Sequence, residues 1–407
     1  NFTFRPIYLS NEFYRTVDEM TEMQSLTTGI YNEEHDIFRE TFRKFVAKEV
    51  TPFVTEWEEA RAVPRSLWLK MGQYGFLCPW LPEKYGGLDL GFEYSVIINE
   101  ELIRGDGFGV GVPLHSDVAT PYIFTYGSDA IKDRWLPGCA TGEVITAIGL
   151  TEPNTGSDLA AIRTKAVRDG DFFVINGQKT FITNGYYADL IVVAVKTNPE
   201  AGHRGISLIL VDKDTPGFSR GRKLEKMGYH MQDTAELFFE DCRVPASNLL
   251  GEENQGFKYM MEKLQQERLE VSIKCQVNAE EAFKEALAYA KTREAFGRPI
   301  GDFQYTAFRL AEMATDVQIG RTFLDHLIVD HIHGRNIVQQ VSMAKYWLGE
   351  MVNRVAYQAV QIHGGYGYME EYRICRIYRD VRALSIFAGT SEIMKLIIGK
   401  NLGLSPK

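Results

Sequence analysis

The hydrophobic period of this chain changes twice, and that double change limits its fold more than any other feature. From about residue 33 to 142, apolar side chains recur at helical spacing, as in Phe38, Phe42, Phe45 and Val46, or Leu67, Met71 and Tyr74, which predicts a helical block. Residues 82–87 and 105–113 read as loops that interrupt it. From about 143 to 251 short β-rich runs take over, at 172–175, 190–195 and 206–211. Asp169-Gly170 and Asn176-Gly177 both read as hairpin dipeptides, so the strands are expected to pair with near neighbours. After Gly256 the helical period returns over 257–292, 303–334, 337–363 and 390–402. Long helices with short connections favour antiparallel packing as a bundle. The expected class is α+β: an extension over 1–32, a helical N-terminal domain over 33–142, an antiparallel β-barrel or sheet over 143–251, and a C-terminal four-helix bundle over 252–407.

A chain of 407 residues, 45% of them hydrophobic, can bury a large core. Its formal charge of -9 argues against a nucleic-acid footprint, and an anionic substrate would need a local basic patch. Cys78, Cys139, Cys242, Cys275 and Cys375 are widely spaced and lack paired metal-ligand spacing, so they read as reduced, packed thiols of an intracellular protein. No run reaches the about 20 apolar residues that span a bilayer, and the start has no charged segment followed by an apolar one, as a secretory signal would.

Several segments have the composition of a ligand site. Leu150-Thr151-Glu152-Pro153-Asn154-Thr155-Gly156-Ser157-Asp158 joins a hydroxyl, a proline turn and a small Gly-Ser pair, which suits close approach of backbone to a flat ring or an anion. Phe181-Ile182-Thr183-Asn184-Gly185 follows, and Gln361-Ile362-His363-Gly364-Gly365-Tyr366-Gly367 lies far downstream. Arg293 offers a guanidinium suited to pyrophosphate in Arg293-Glu294-Ala295-Phe296-Gly297, and Gln304 an amide suited to adenine. Near the C-terminus stands Phe387-Ala388-Gly389-Thr390-Ser391-Glu392, and about 120 residues earlier Gln265-Gln266-Glu267-Arg268-Leu269.

In order and spacing these segments resemble the acyl-CoA dehydrogenase family, from about residue 33 to 403. The long-chain branch is the most similar, through Glu34-His35-Asp36-Ile37-Phe38-Arg39, Met343-Ala344-Lys345-Tyr346-Trp347 and Gly367-Tyr368-Met369-Glu370-Glu371-Tyr372. The resemblance implies FAD-dependent α,β-dehydrogenation of a fatty acyl-CoA of medium or long chain to trans-2-enoyl-CoA. Ala388 stands where the family often has its carboxylate. Glu267 matches the alternative position used by long-chain and isovaleryl members, so it becomes the expected α-proton base, while the Ala388 N–H keeps the task of holding the thioester oxygen. On its residues alone, among Glu262, Lys263, Gln265 and Arg268, Glu267 reads as a surface helix residue; the resemblance turns that reading toward the base.

The resemblance also assigns flavin or acyl-CoA contacts to Leu150, Thr151 and Ser157, and flavin contacts to Phe181 and Thr183. Arg293, Phe296, Gln304, Gln361, Gly364 and Gly365 would serve the FAD held mainly by a neighbouring subunit. Thr390 and Glu392 would serve it from the start of the last helix, although many relatives have Gln at the position of Glu392. Ser157, Arg268 and Gly389 would meet substrate. A dimer of dimers, electron-transfer flavoprotein as acceptor, and a mitochondrial matrix or bacterial cytoplasmic location are implied too. An acyl-CoA oxidase, a branched or alicyclic specificity, and a non-catalytic assembly partner are the alternatives. No metal is expected: His331 and His333 are two positions apart and face different sides of a helix. Gly105 to Gly109 lacks the flanking strand and helix of a phosphate loop. Arg373, Arg376, Arg379 and Arg382, with Glu370, Glu371 and Asp380 nearby, read as a solvated or ion-paired helix face.

Overall fold

Apolar side chains at positions 42, 45 and 46 fall along one stripe, and the segment forms helix α1 (Glu33–Glu49) with that stripe buried. A computed structural model describes residues 29–405; the apolar positions Phe2, Phe4, Ile7, Tyr8 and Leu9 of the predicted extension lie outside the described residues. The chain separates into two compact units, Glu34–Glu270 and, for the described remainder, essentially Val271 onward.

In the first unit, α1 packs with α2 (Val54–Ala60), α3 (Arg65–Gln73) and α4 (Phe92–Arg104) around Phe42, Trp57, Trp68, Met71 and Leu102. A π-helical turn, Leu114–Ala119, leads into α5 (Thr120–Tyr126), and α6 (Asp129–Thr141) follows. Strands β1 (Thr146–Gly149), β2 (Lys165–Asp169), β3 (Phe172–Thr183), β4 (Leu190–Lys196), β5 (Ile206–Asp212), β6 (Phe218–Lys223) and β7 (Thr234–Pro245) make one sheet in the order β1-β4-β2-β3-β7-β6, with β5 on β4.

The expected antiparallel sheet is in fact mixed. β1 pairs with β4 in parallel from Thr146↔Leu190 to Gly149↔Val193, and β2 meets β4 in parallel at Lys165↔Lys196. The remaining ladders are antiparallel. Asp169-Gly170 does turn the chain between β2 and β3, with Gly170 at φ 59°. Asn176-Gly177 does not: it lies inside β3, at a register shift against β7. Gly177 has φ 151°, and a Cβ there would sit 2.5 Å from Thr164 Oγ1, so the glycine permits a close strand crossing instead of a turn.

Buried His115 joins the π-helical turn to β1. Its Nδ1 accepts from the Thr146 N–H and its Nε2 donates to the Cys139 carbonyl, both at 3.0 Å, which fixes the neutral ring. Burial pushes its pKa down to about 4. An unfolded histidine titrates at about 6.5, so between those values the unfolded chain holds a proton that the folded chain refuses. The stability this ring contributes is therefore complete above about pH 6.5 and declines as pH falls toward 4, by about 3 kcal/mol in all. Denaturant unfolding from pH 7 to pH 4 should show that loss, and His115→Gln should flatten the slope; equal slopes would rule the histidine out as its source.

The second unit is helical. Helix α7 (Gly256–Thr292) supplies its first turns, up to Glu270, to the first unit and its remainder to the second. A hairpin of β8 (Glu294–Ala295) and β9 (Arg298–Pro299) leads to α8 (Gln304–Ile332), α9 (Val338–His363), α10 (Arg373–Val381) and α11 (Ser391–Asn401). Gln276 of α7 donates to the Val317 carbonyl of α8 at 2.9 Å, and Gly320 makes that approach possible, because a Cβ there would lie 2.2 Å from the Gln276 amide oxygen. Of the two readings of the arginine stripe, ion pairing holds at Arg373, which reaches Glu281 at 2.6 Å, and at Arg379, which pairs with Glu370.

Candidate active site

The sequence-derived site residues fall into two sets, one in each unit. In the first unit, Glu267 lies half-buried on α7, in the stretch that packs along α5. Three contacts fix this pairing. Tyr259 stacks on Tyr126 with centroids 4.0 Å apart, the Tyr126 hydroxyl donates to Glu262 at 2.5 Å, and the Gln266 amide donates to the Asp117 carbonyl at 2.6 Å. The Asn99 amide of α4 meets the Glu270 carboxylate at 2.5 Å. Glu267 thus stands among anchored neighbours, not on a freely solvated helix face. Arg268 beside it is buried.

Leu150 packs against the same apolar cluster as Tyr122, Tyr126, Tyr259 and Met260. The loop after it is pinned from below by Lys179, fully buried, whose ammonium donates to the Leu150 carbonyl at 3.1 Å and to Glu152 at 2.8 Å. Glu152 accepts in turn from the N–H groups of Arg163 (2.6 Å) and Thr164 (2.9 Å). The Thr180 N–H donates to the Thr151 carbonyl at 2.9 Å, so Thr151 runs beside β3 and Ser157 is left exposed. At the end of β3 the ladder to β7 slips between Lys179 and Ile182. The bulge puts Phe181 at φ 60° and turns its ring outward, 68% exposed, while Thr183 stays half-buried. An exposed aromatic held in the left-handed region beside a threonine is a costly arrangement for a ring with nothing to cover.

In the second unit Arg293 ends α7, with its guanidinium 5.7 Å from the Tyr366 ring centroid. Buried His363 stacks on Tyr289 at 4.4 Å, and these contacts bring Arg293 together with the stretch Gln361 to Gly365. Arg293, Phe296, Gln304, Gln361, Gly364 and Gly365 are all exposed. Phe296 and Gly297 both have positive φ, 54° and 79°, and form the tip of the β8–β9 hairpin, where the Phe296 side chain is 95% exposed. Gly364 closes α9 at φ 59°, ψ −135°, a conformation that disfavours any side chain.

Ala388 adopts φ 54° and Gly389 φ 93°, just before Thr390 caps α11 by accepting from the Ile393 N–H at 3.3 Å. Two residues of α9 hold this turn: Lys345, fully buried, donates to the Gly389 carbonyl at 2.5 Å, and Glu350 accepts from Ser391 at 2.6 Å. The Ala388 N–H donates to no group among the described residues, which leaves it available to a ligand. The Glu392 carboxyl is held below its ordinary range, first by its own N–H and then by the Thr390 hydroxyl, so the start of α11 already carries an anion.

Sequence reasoning missed Tyr122, Lys179 and Lys345. Each is a fully buried polar side chain in an apolar run, and periodicity assigns such a position to the core without saying what its polar tip touches.

Models of the acyl-CoA dehydrogenase N-terminal, middle and C-terminal domains match residues 32–143, 147–242 and 254–403. The chain belongs to the acyl-CoA dehydrogenase family, flavoprotein oxidoreductases that act on a CH–CH pair in fatty acid metabolism. Within it, the chain is 46% identical to the mitochondrial long-chain specific acyl-CoA dehydrogenase of Sus scrofa, over 92% of this chain and 87% of that one. An acyl-CoA dehydrogenase structure from Geobacillus kaustophilus superimposes with a TM-score of 0.91 at 59% identity, covering 92% of this chain and 99% of the other. A glutaryl-CoA dehydrogenase from Mycobacterium smegmatis in complex with FADH2 gives 0.86 at 31% identity, covering 93% and 96%. No helix among the described residues is long and apolar enough to cross a membrane.

Proposed function

We propose that this chain oxidises a medium- or long-chain fatty acyl-CoA to the trans-2-enoyl-CoA, with FAD as cofactor and electron-transfer flavoprotein as electron acceptor. The observation that carries the reading is Glu267, half-buried and held among anchored side chains of α5 and α7, in a family member whose Ala388 turn brings no carboxylate. FAD, when bound, supplies the acceptor for the β-hydride. Glu267 takes the α-proton as general base. The Ala388 N–H donates to the thioester oxygen as negative charge develops there, and Lys345 keeps the turn in the strained conformation this requires. Two hydrogens leave the substrate, one as a proton to Glu267 and one as hydride.

The residues fit FAD. The outward Phe181 ring and the Thr183 hydroxyl suit the flat flavin, and the exposed Arg293, Gln304 and Gln361 suit pyrophosphate and adenine. Leu150, Thr151, Ser157, Phe296, Gly364, Gly365, Thr390 and Glu392 would complete the cofactor contacts, and Ser157, Arg268 and Gly389 those to substrate. Phe296, Tyr305 and Phe308 expose three aromatic rings on the second unit, which supports assembly with further copies of the chain.

Anaerobic mixing with a series of straight-chain acyl-CoA thioesters should bleach the flavin, most strongly with medium or long chains. Rapid reoxidation by air with peroxide release would favour the oxidase instead, and a flavin that no thioester bleaches would favour the assembly partner.

A further inference from the structure

Tyr122 is 0% exposed, and its hydroxyl finds no hydrogen-bond partner among the described residues. A buried phenol of this kind costs about 1–3 kcal/mol of unrecovered desolvation unless something else receives it. The geometry of α5 tells where it points. Asp117, just before α5, is fixed to Gln266, and Tyr126 at its far end is fixed to Glu262 and Tyr259, so α5 and α7 run antiparallel with Tyr122 between the anchors. Tyr122 lies one turn before Tyr126, with the two rings 6.3 Å apart, and shares a buried apolar cluster with Met260 of α7, so it faces α7, where the Glu267 charge acts on it. The π-helical turn that precedes α5 belongs to the same arrangement, a local irregularity of the sort found at functional sites.

Resting on the reading of Glu267 as base, we propose that Tyr122 is a positioning residue whose hydroxyl donates, through one bridging water, to the Glu267 carboxylate and holds it ionised and aimed. A donor to the charged form of an acid lowers its pKa, so Tyr122 would let Glu267 accept a proton at lower pH than its surroundings otherwise permit. Burial, and then the Glu267 charge, keep the phenol well above its ordinary pKa, so it remains a donor over the whole working range. The other charged or titratable groups around Glu267 are Glu262, Lys263, Arg268 and Glu270 on α7, Tyr126 on α5 and Asp117 on the π-helical turn. Asp117 is engaged by Ser95 at 2.6 Å, Glu262 by Tyr126 and Glu270 by Asn99.

Tyr122→Phe should retain the parent's flavin content and melt no lower, because the hydroxyl it loses has no protein partner. Reduction of its flavin should be followed from pH 5 to 9 with the straight-chain acyl-CoA that reduces the parent fastest. The acid limb of the rate profile should move up by about one pH unit, as loss of one hydrogen bond to a carboxylate predicts, with an about tenfold slower rate below the limb and KM unchanged. In a Glu267→Gln background the same exchange should do nothing further. A limb that stays in place in Tyr122→Phe, while Glu267→Gln is slow, overturns the role of Tyr122 alone. Fast reduction by Glu267→Gln overturns the base assignment itself.

Discussion

Glu267→Gln should fold, keep its flavin and reduce it about 10²–10⁴-fold more slowly on mixing with acyl-CoA, the range set by a positioned general base. The exchange keeps shape and hydrogen-bonding capacity, so the Gln266–Asp117 and Tyr126–Glu262 anchors on either side have no cause to move. What it removes is the ability to receive a proton. That interaction exists in the transition state and hardly in the ground state, so kcat and kcat/KM should fall together while binding of a non-reducible acyl-CoA stays within a factor of a few. The acid limb of the pH profile should vanish with the carboxyl that causes it. Stopped-flow bleaching of the flavin under nitrogen measures all of this, and a variant that reduces its flavin at the parent rate would place the base elsewhere.

The glutamate proposed as base is a case where pattern and geometry carry different information. Ala388 and Glu267 stand out in the sequence because the turn around Ala388 and the stretch Gln265 to Leu269 resemble a family's segments, with alanine where a carboxylate often stands. The arrangement of α5 against α7 was not legible, because Tyr126 and Tyr259 look like any aromatic core residues until their stacking and the Tyr126–Glu262 contact show which way they face. Strands were legible by composition, and their partners were not. Period-2 alternation reports which face a side chain takes, and the four residues of β1 say nothing about pairing in parallel with 190–193, more than forty positions away. Asn176-Gly177 has the chemistry of a hairpin turn, but Thr164 pressing on Gly177 decides its use as a crossing point within β3. Helix boundaries in the C-terminal unit came out within a residue or two, because long amphipathic repeats need only local information.

Lys179→Met should lower stability by about 3–5 kcal/mol, the cost of leaving one member of a buried ion pair without the other. Methionine fills the space of the lysine stem, so the loss reflects charge and hydrogen bonding more than a cavity. Glu152 would keep the Arg163 and Thr164 N–H groups at 2.6 and 2.9 Å but lose its 2.8 Å ammonium, and the Leu150 carbonyl would lose its donor. Removing both charges as Lys179→Met with Glu152→Leu should not rescue the protein fully, since the buried Thr164 N–H would then be orphaned at about 1–3 kcal/mol and the part-buried Arg163 N–H would lose its acceptor. Pairing Lys179→Met with Glu152→Gln should recover part of the loss, because a glutamine oxygen still accepts from one of them and no uncompensated charge remains. Urea unfolding would rank the three variants. Flavin retention during gel filtration supplies the functional half: the 150–157 loop is proposed to meet the cofactor, so the single variant should shed flavin faster than its stability loss alone explains. Equal stability of Lys179→Met and the parent would mean that the loop is held by its backbone contacts, the Thr180–Thr151 bond and the Glu152–Thr155 turn, without help from the buried pair.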